Sequence, residues 1–160
     1  MADSLEKQVE KLLQQRTSKK NIRQQLETPD NRPKLLYHLN NKSLLFRRRK
    51  YMWLNLVLAA MLLFITLKRL LAIAGSGHYD FYLLLDFIVP TINFYILREI
   101  LLFHRSGYIF LVVLTSLSFV YPENRMVPDL IVNLLMIGLS AFLYLRMFPK
   151  DEVIDPGGRK

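Results

Sequence analysis

Four polar residues lie inside apolar segments of this chain, and their types and spacing could do chemistry. They are Asp86, Asn93, Asp129 and Asn133. Polar groups are costly in hydrocarbon, so they either pair or line a functional path, and two carboxylates with two amides could form the entrance for a cation or a proton. The same carboxylates could instead pair with Lys68 and Arg69, which the sequence places at a similar depth. We favour the ion pairs, because they satisfy both signs of charge.

Two further polar clusters flank the apolar segments. The first is the inner-mouth cluster, formed by Arg98, Glu99, His104 and Arg105. It could receive a lipid headgroup or an acidic loop of a partner, but an interfacial ion pair with anchoring cations is the favoured interpretation. The second is a basic run, formed by Arg47, Arg48, Arg49 and Lys50. Each cation near an anionic leaflet gains about 1 kcal/mol, so this run is interpreted as a topology determinant and an anionic-lipid contact.

The chain lacks the residue sets that enzymes use. It has no Ser/His/Asp set at one depth, no paired carboxylates at metal-ligand spacing and no glycine-rich phosphate loop. The absence of cysteine excludes disulfides, thiol chemistry and Cys-ligated metals. Its three histidines fall in three different segments, too far apart to form a metal site in one chain. We therefore predict no catalytic activity, no metal and no cofactor, and the residues match no known motif set.

The hydropathy pattern predicts the elements that must position these residues. Residues 51–67 are 17 consecutive uncharged residues, which as a helix would be about 25 Å long. The hydropathy pattern contains four apolar segments in all, at 51–73, 81–103, 107–121 and 127–148. The third is short, so a three-span or re-entrant arrangement is the rival. We predict an all-α membrane protein with four transmembrane helices in antiparallel hairpins, preceded by a small cytoplasmic helical segment.

The distribution of charge predicts the orientation. Residues 1–50 carry 13 Lys/Arg and 5 Asp/Glu, whereas residues 51–160 carry 9 and 8. With four spans and a cytoplasmic N-terminus, 19 of the 22 Lys and Arg residues lie on the inner side, as the positive-inside rule requires. Both termini are then cytoplasmic. Short loops and the lack of cysteine favour a bacterial inner (plasma) membrane over a eukaryotic internal membrane.

The first 46 residues predict about three short amphipathic helices. Apolar periodicity indicates helices at 4–16 and 17–27 and a third that begins at Pro33. Such short helices need to pack on each other, on the membrane or on a partner. Nucleic-acid binding is not favoured, because only three cations cluster on the second helix and no base-reading pattern accompanies them. Residues 47–148 form the transmembrane domain in this interpretation, and 149–160 form a cytoplasmic tail.

These observations favour a binding role over catalysis. We expect a non-enzymatic accessory or scaffolding subunit of a larger membrane assembly, which acts through its helix faces and its cytoplasmic head. Its partners would be anionic inner-leaflet lipids and other membrane-protein subunits or further copies of the chain. The alternative is a homo-oligomeric cation or proton channel, lined by the four polar residues Asp86, Asn93, Asp129 and Asn133.

A reporter fused after Lys160 is expected to read cytoplasmic, because an even number of spans returns the chain to the side of its N-terminus. The same reporter fused after Glu123 should read extracytoplasmic. A matched pair of alkaline phosphatase and fluorescent-protein fusions measures both positions. An extracytoplasmic reading at Lys160 would contradict the even count of spans.

Overall fold

The computed structural model describes residues 4–75, 86–120 and 126–154, and these residues form seven α-helices and no strand. The helices are α1 (Leu5–Gln14), α2 (Lys19–Leu26), α3 (Arg32–Asn41), α4 (Leu45–Gly75), α5 (Ile88–Leu101), α6 (Arg105–Ser118) and α7 (Asp129–Met147). A short 3-10 helix, Lys150–Glu152, follows α7. The chain is therefore all-helical over its described residues.

Helices α1 to α3 form a small head with its own apolar core. The core residues are Val9, Leu13, Ile22, Leu35 and Leu39. Local signals set the boundaries of these helices: the Ser18 hydroxyl accepts a hydrogen bond from the Asn21 backbone N–H at 3.2 Å, and Pro33 occupies the first turn of α3. The three helices lie where the sequence pattern places them, and they bury their apolar faces against each other.

Helices α4 to α7 form a four-helix bundle. Each packs on its neighbour in chain order, and α4 also packs on α7, which closes the bundle. The core includes Leu58, Leu62, Ile100, Leu111 and Leu143. Many large apolar side chains point outward, including Trp53, Leu71 and Leu145. An extended apolar exterior of this kind is typical of a surface that meets a membrane or a partner.

Two described helices, α4 with 31 residues and α7 with 19, are long and apolar enough to cross a membrane by length and composition. The predicted count of four spans is therefore not established. The described parts of α5 and α6 have 14 residues each, about 21 Å of helix, which is short of a hydrocarbon core of about 30 Å. Part of the predicted second segment, residues 81–85, lies outside the described residues. Helix α4 begins at Leu45, six residues before the predicted start at residue 51.

Gly107 sets how closely α6 approaches α5. A Cβ atom at this position would lie 2.9 Å from Glu99 Cβ and 2.9 Å from the Ile100 backbone nitrogen. In the turn between the helices Phe103 has a φ of 57°, and the His104 N–H donates to the Glu99 carbonyl at 2.9 Å. This left-handed turn reverses the chain at once, so the start of α6 lies against the end of α5.

Gly107→Ala is expected to destabilise the bundle by about 1–3 kcal/mol, since the added methyl must push α6 away from the α5 backbone. Gly138→Ala is the matched control, because nothing lies within 4 Å of a Cβ there. Thermal unfolding in detergent measures both variants. Equal melting temperatures for the two variants would contradict the close-approach role of Gly107.

Candidate functional site

The head is joined to the bundle at a junction built from three segments. These are the linker after α3, the turn between α5 and α6, and the residues that follow α7. Lys42 and His104 form an isolated antiparallel bridge, and the Asn41 side-chain oxygen accepts a hydrogen bond from the Ser106 backbone N–H at 2.9 Å. The linker is thereby fixed to the α5–α6 turn.

Glu99 is the centre of the inner-mouth cluster. Its side chain is buried, with 5% of the residue surface exposed, and it lies 2.9 Å from His104 Nδ1. It also accepts hydrogen bonds from the Ser106 hydroxyl at 2.9 Å and from Arg98 at 3.0 Å. Because the Ser106 hydroxyl donates to Glu99 and not to the imidazole, the cluster is not arranged as a nucleophile with its base. It is a satisfied structural network.

Arg105, the fourth member of the cluster, points to a different neighbour. Its guanidinium donates two hydrogen bonds to the Tyr144 hydroxyl, at 3.1 and 2.6 Å, and stacks over the Tyr144 ring at 5.3 Å. The cluster predicted from sequence is therefore divided. Glu99 and His104 are buried, Arg98 is exposed, and Arg105 ties α6 to α7.

The segment after α7 contacts both α4 and the head. Glu152 accepts two hydrogen bonds from the Arg47 guanidinium, at 3.0 and 2.6 Å. The Asn40 side-chain amide pairs with the Ile154 backbone in both directions, at 3.0 and 2.9 Å. The Ile154 side chain packs against the apolar core of the head. The end of the described chain thus holds the head in place beside α4.

A third connection joins α1 to the start of α4. Arg48 donates to Glu10 at 2.6 and 3.3 Å, and the buried Lys42 Nζ lies 3.1 Å from the same carboxylate. Burial acts to raise the pKa of Glu10, but the hydrogen bonds and charges of Arg48 and Lys42 outweigh it and hold this pKa below its usual value. Glu10 is therefore ionised at neutral pH and bridges two cations.

Lys19, at the start of α2, lies near this junction and has a shifted pKa. It is 7% exposed, and burial chiefly lowers its pKa to about 8. Glu152 opposes this shift, whereas the nearby guanidinium groups of Arg48, Arg105 and Arg47 add to it. Because the native pKa lies below the unfolded one, folding stability contributed by this group increases as pH rises above about 8.

The basic run is divided between internal and external roles. Arg47 and Arg48 are committed to Glu152 and Glu10. Arg49 and Lys50 are exposed, with the Lys50 ammonium 5.5 Å from the centre of the Tyr51 ring. Of the four cations expected to contact anionic lipid, these last two present their charges outward.

The four polar residues of the apolar segments do not gather in one place. Asp129 accepts hydrogen bonds from Lys68 Nζ at 2.7 Å on each carboxylate oxygen, whereas Asp86 is exposed and has no ion pair within the described chain. Asn93 and Asn133 line one cavity of about 220 Å³ inside the bundle. Arg69 lines the same cavity instead of pairing with a described carboxylate.

A buried network at the junction end of the bundle includes a residue that the sequence did not single out. That residue is Tyr108, whose hydroxyl donates a hydrogen bond to the Asn55 side-chain oxygen at 2.5 Å. Asn55 also donates to the Ile100 carbonyl at 3.0 Å, and the Ser140 hydroxyl donates to the Tyr108 carbonyl at 3.0 Å. A tyrosine at the start of an apolar segment is a usable signal, because a buried phenol requires a hydrogen-bond partner.

The acidic residues of the head and tail that form ion pairs were also not singled out from the sequence. Glu10 and Glu152 make long-range pairs with Arg48 and Arg47, and no local pattern marks them.

In the parts of the chain that the structure describes, no group of three or more acidic or histidine side chains is suited to hold a metal ion. No protein-family model, curated protein or solved structure matches the chain significantly. The geometry is therefore the basis for assigning a function.

Glu10→Gln is expected to loosen α1 from the bundle by about 1–2 kcal/mol, because Arg48 and Lys42 lose an ionised partner at a partly buried site. Acid should have the same effect in the wild type. The pKa of Glu10 is lowered in the folded state, so its stabilisation is present above the unfolded pKa near 4.5 and is lost as pH falls through the folded value.

Hydrogen exchange of the α1 amides measures this loosening. Glu6→Gln is the matched control, because Glu6 is more exposed and among the described residues its one salt bridge is with Lys42, at 3.3 Å; its effect should be at most about 1 kcal/mol. Equal exchange rates in the two variants would contradict the proposed bridge.

Proposed function

We propose that the chain is a non-enzymatic membrane subunit, an accessory or scaffolding component that presents its head to other proteins of a larger assembly. One observation carries this proposal: the head is tied to the bundle by three separate sets of contacts. These are the Asn41–Ser106 hydrogen bond with the Lys42–His104 bridge, the Glu10–Arg48 pair, and the contacts of Glu152 and Ile154. A head held at this many points keeps a fixed position relative to the bundle, which is what a docking platform requires.

The proposed topology has four spans with both termini in the cytoplasm. Arg47 near the start of α4 pairs with Glu152 just after α7, so these two helices begin and end at the same level. Helices α5 and α6 pack between them in the closed bundle, and thinning of the bilayer or protein contact can accommodate their shorter length. The excess of Lys and Arg in the head supports a cytoplasmic location. The bacterial inner membrane stays the favoured site.

The outward surface of the head and junction offers the means of binding. Tyr37 is 60% exposed and Phe46 is 59% exposed, and aromatic side chains are enriched at protein interfaces. Arg49 and Lys50, also exposed, follow Phe46 along α4. Anionic lipids can bind these two cations, while the aromatic residues suit another membrane-protein subunit.

The alternative is the homo-oligomeric cation or proton channel. The shared cavity of Asn93 and Asn133 favours it. Lys68 neutralises the Asp129 carboxylate, however, and Arg69 adds positive charge to the cavity wall. A permanent guanidinium charge repels a cation, so the accessory function is the better supported of the two.

Mild extraction from the native membrane, with mass analysis of the intact particle, tests the proposal. We expect foreign subunits at fixed stoichiometry. The double variant Tyr37→Ser/Phe46→Ser should lose them while its melting temperature is unchanged, because both side chains are exposed. Gln24→Ser, at an exposed head position, is the matched control and should retain them. A homogeneous homo-oligomer without foreign subunits would contradict the accessory role and favour the channel.

A further inference from the structure

The cavity inside the bundle has a polar part and an apolar part. It lies between α4, α5, α6 and α7, and its volume is about 220 Å³. Arg69, Asn93, Thr115, Ser118 and Asn133 are the polar residues among those that line it. Arg69 is seven residues after Leu62 on α4, about 10 Å along the helix, whereas Asn133 is only three residues before Met136 on α7. The polar groups lie toward the end of the bundle that faces away from the head.

Asn133 requires a partner that the described chain does not provide. Its residue surface is 5% exposed, and its amide lines the cavity with no hydrogen bond to any described residue. Asn55, at the opposite end of the bundle, uses both ends of its amide on Tyr108 and Ile100. An unsatisfied amide in a low-dielectric interior is costly. An occupant that presents a polar group to Asn133 would therefore bind better than a purely apolar one.

The charge of the cavity wall determines which sign of charge the polar group of the ligand should carry. Lys68 is neutralised by Asp129, but Arg69 forms no salt bridge with any described carboxylate. A guanidinium stays protonated under all ordinary conditions. The polar wall therefore carries a positive charge that no described carboxylate pairs with, beside two amides, which favours an anion and disfavours a cation.

The remaining wall is apolar, so it favours an occupant whose other part is apolar. Leu62, Ile96, Leu111 and Met136 line it, and each is almost fully buried. The volume of about 220 Å³ equals the share of about seven water molecules in the liquid. A space of this size suits one short acyl chain and is far too small for a two-chain lipid.

We propose that this cavity binds a single-chain anionic amphiphile of the medium-chain carboxylate class. Its carboxylate accepts hydrogen bonds from the Arg69 guanidinium and the Asn133 amide, with Asn93 and Thr115 beside them. Its hydrocarbon chain lies against Leu62, Ile96, Leu111 and Met136. The site lies within one chain, so it operates whether or not foreign subunits are present.

Binding of radiolabelled octanoate to the full chain in phosphatidylcholine nanodiscs tests the site. We expect saturable binding of one octanoate per chain. Arg69→Gln should weaken binding at least tenfold, Arg69→Lys should weaken it less, and Asn133→Leu should weaken it severalfold. Arg146→Gln, an exposed arginine at the other end of the bundle, is the matched control and should bind as the wild type does. Non-saturable partitioning, or equal binding by Arg69→Gln, would overturn the proposal.

Competition and labelling give a second test that does not depend on those variants. Octylamine should fail to displace octanoate, and octanol should compete at least tenfold more weakly than octanoate itself. Because the chain has no cysteine, Thr115→Cys introduces a single, nearly isosteric thiol at the cavity wall. Octanoate should slow its reaction with a small methanethiosulfonate reagent. Displacement by octylamine, or labelling unaffected by octanoate, would show that the cavity does not select this class.

Discussion

The hydrogen bonds between Asn55, Tyr108 and Ile100 are the constraint on which the rest of the structure depends. Together with Ser140 they join all four bundle helices at one level. Apolar side chains gain nothing by leaving lipid for one another, so packing and interhelical hydrogen bonds must specify how such helices meet. The network fixes the end of α5 against α4 and α6. Only with that end in place can Gly107 bring α6 so close, and only then do Glu99 and Ser106 come within hydrogen-bonding distance.

At the junction beside this network, acidic side chains pair with part of the large excess of positive charge. The head and the start of α4 carry a large excess of positive charge, and unpaired cations would repel one another. Three acids are placed where they each meet more than one donor: Glu10 with Arg48 and Lys42, Glu99 with Arg98 and Ser106, and Glu152 with two nitrogens of Arg47. Glu10 therefore joins the head to α4, Glu99 joins α5 to the start of α6, and Glu152 joins the segment after α7 to α4, while Arg49 and Lys50 stay outside.

The sequence predicted the elements whose signals are local. The three head helices follow from apolar periodicity and Pro33, and the structure has helices at Leu5–Gln14, Lys19–Leu26 and Arg32–Asn41. Helix α4 begins at Leu45, ahead of the apolar segment predicted at 51–73, because hydropathy marks the apolar stretch and not the start of the helix; Arg47 to Lys50 belong to the same helix. The number of spans was not predictable from composition, since α5 and α6 have 14 described residues each.

The candidate site was predictable only where both partners lie in recognised segments. The sequence placed Asp86 and Asp129 at the depth of Lys68 and Arg69 without assigning partners, and the structure pairs Lys68 with Asp129. Glu10 and Arg48 are 38 residues apart, and Arg47 and Glu152 are 105 apart. Pairs this distant form only when whole helices pack together, and no local pattern in a single sequence marks that packing. Tyr108 was missed for the same reason, because its partner belongs to α4.

The polar side chains at the two ends of the bundle differ in what they contact, and this difference connects the two proposals. At the junction end, Asn55 and Glu99 have their hydrogen bonds within the protein. At the other end, Asn133 and Arg69 face the cavity. A ligand there contacts all four helices, and a ligand that binds only the folded state stabilises it by mass action. Occupancy would then tighten α4 against α7, whose opposite ends hold Arg47 and the segment with Glu152. The head and the cavity are thus joined through the same two helices.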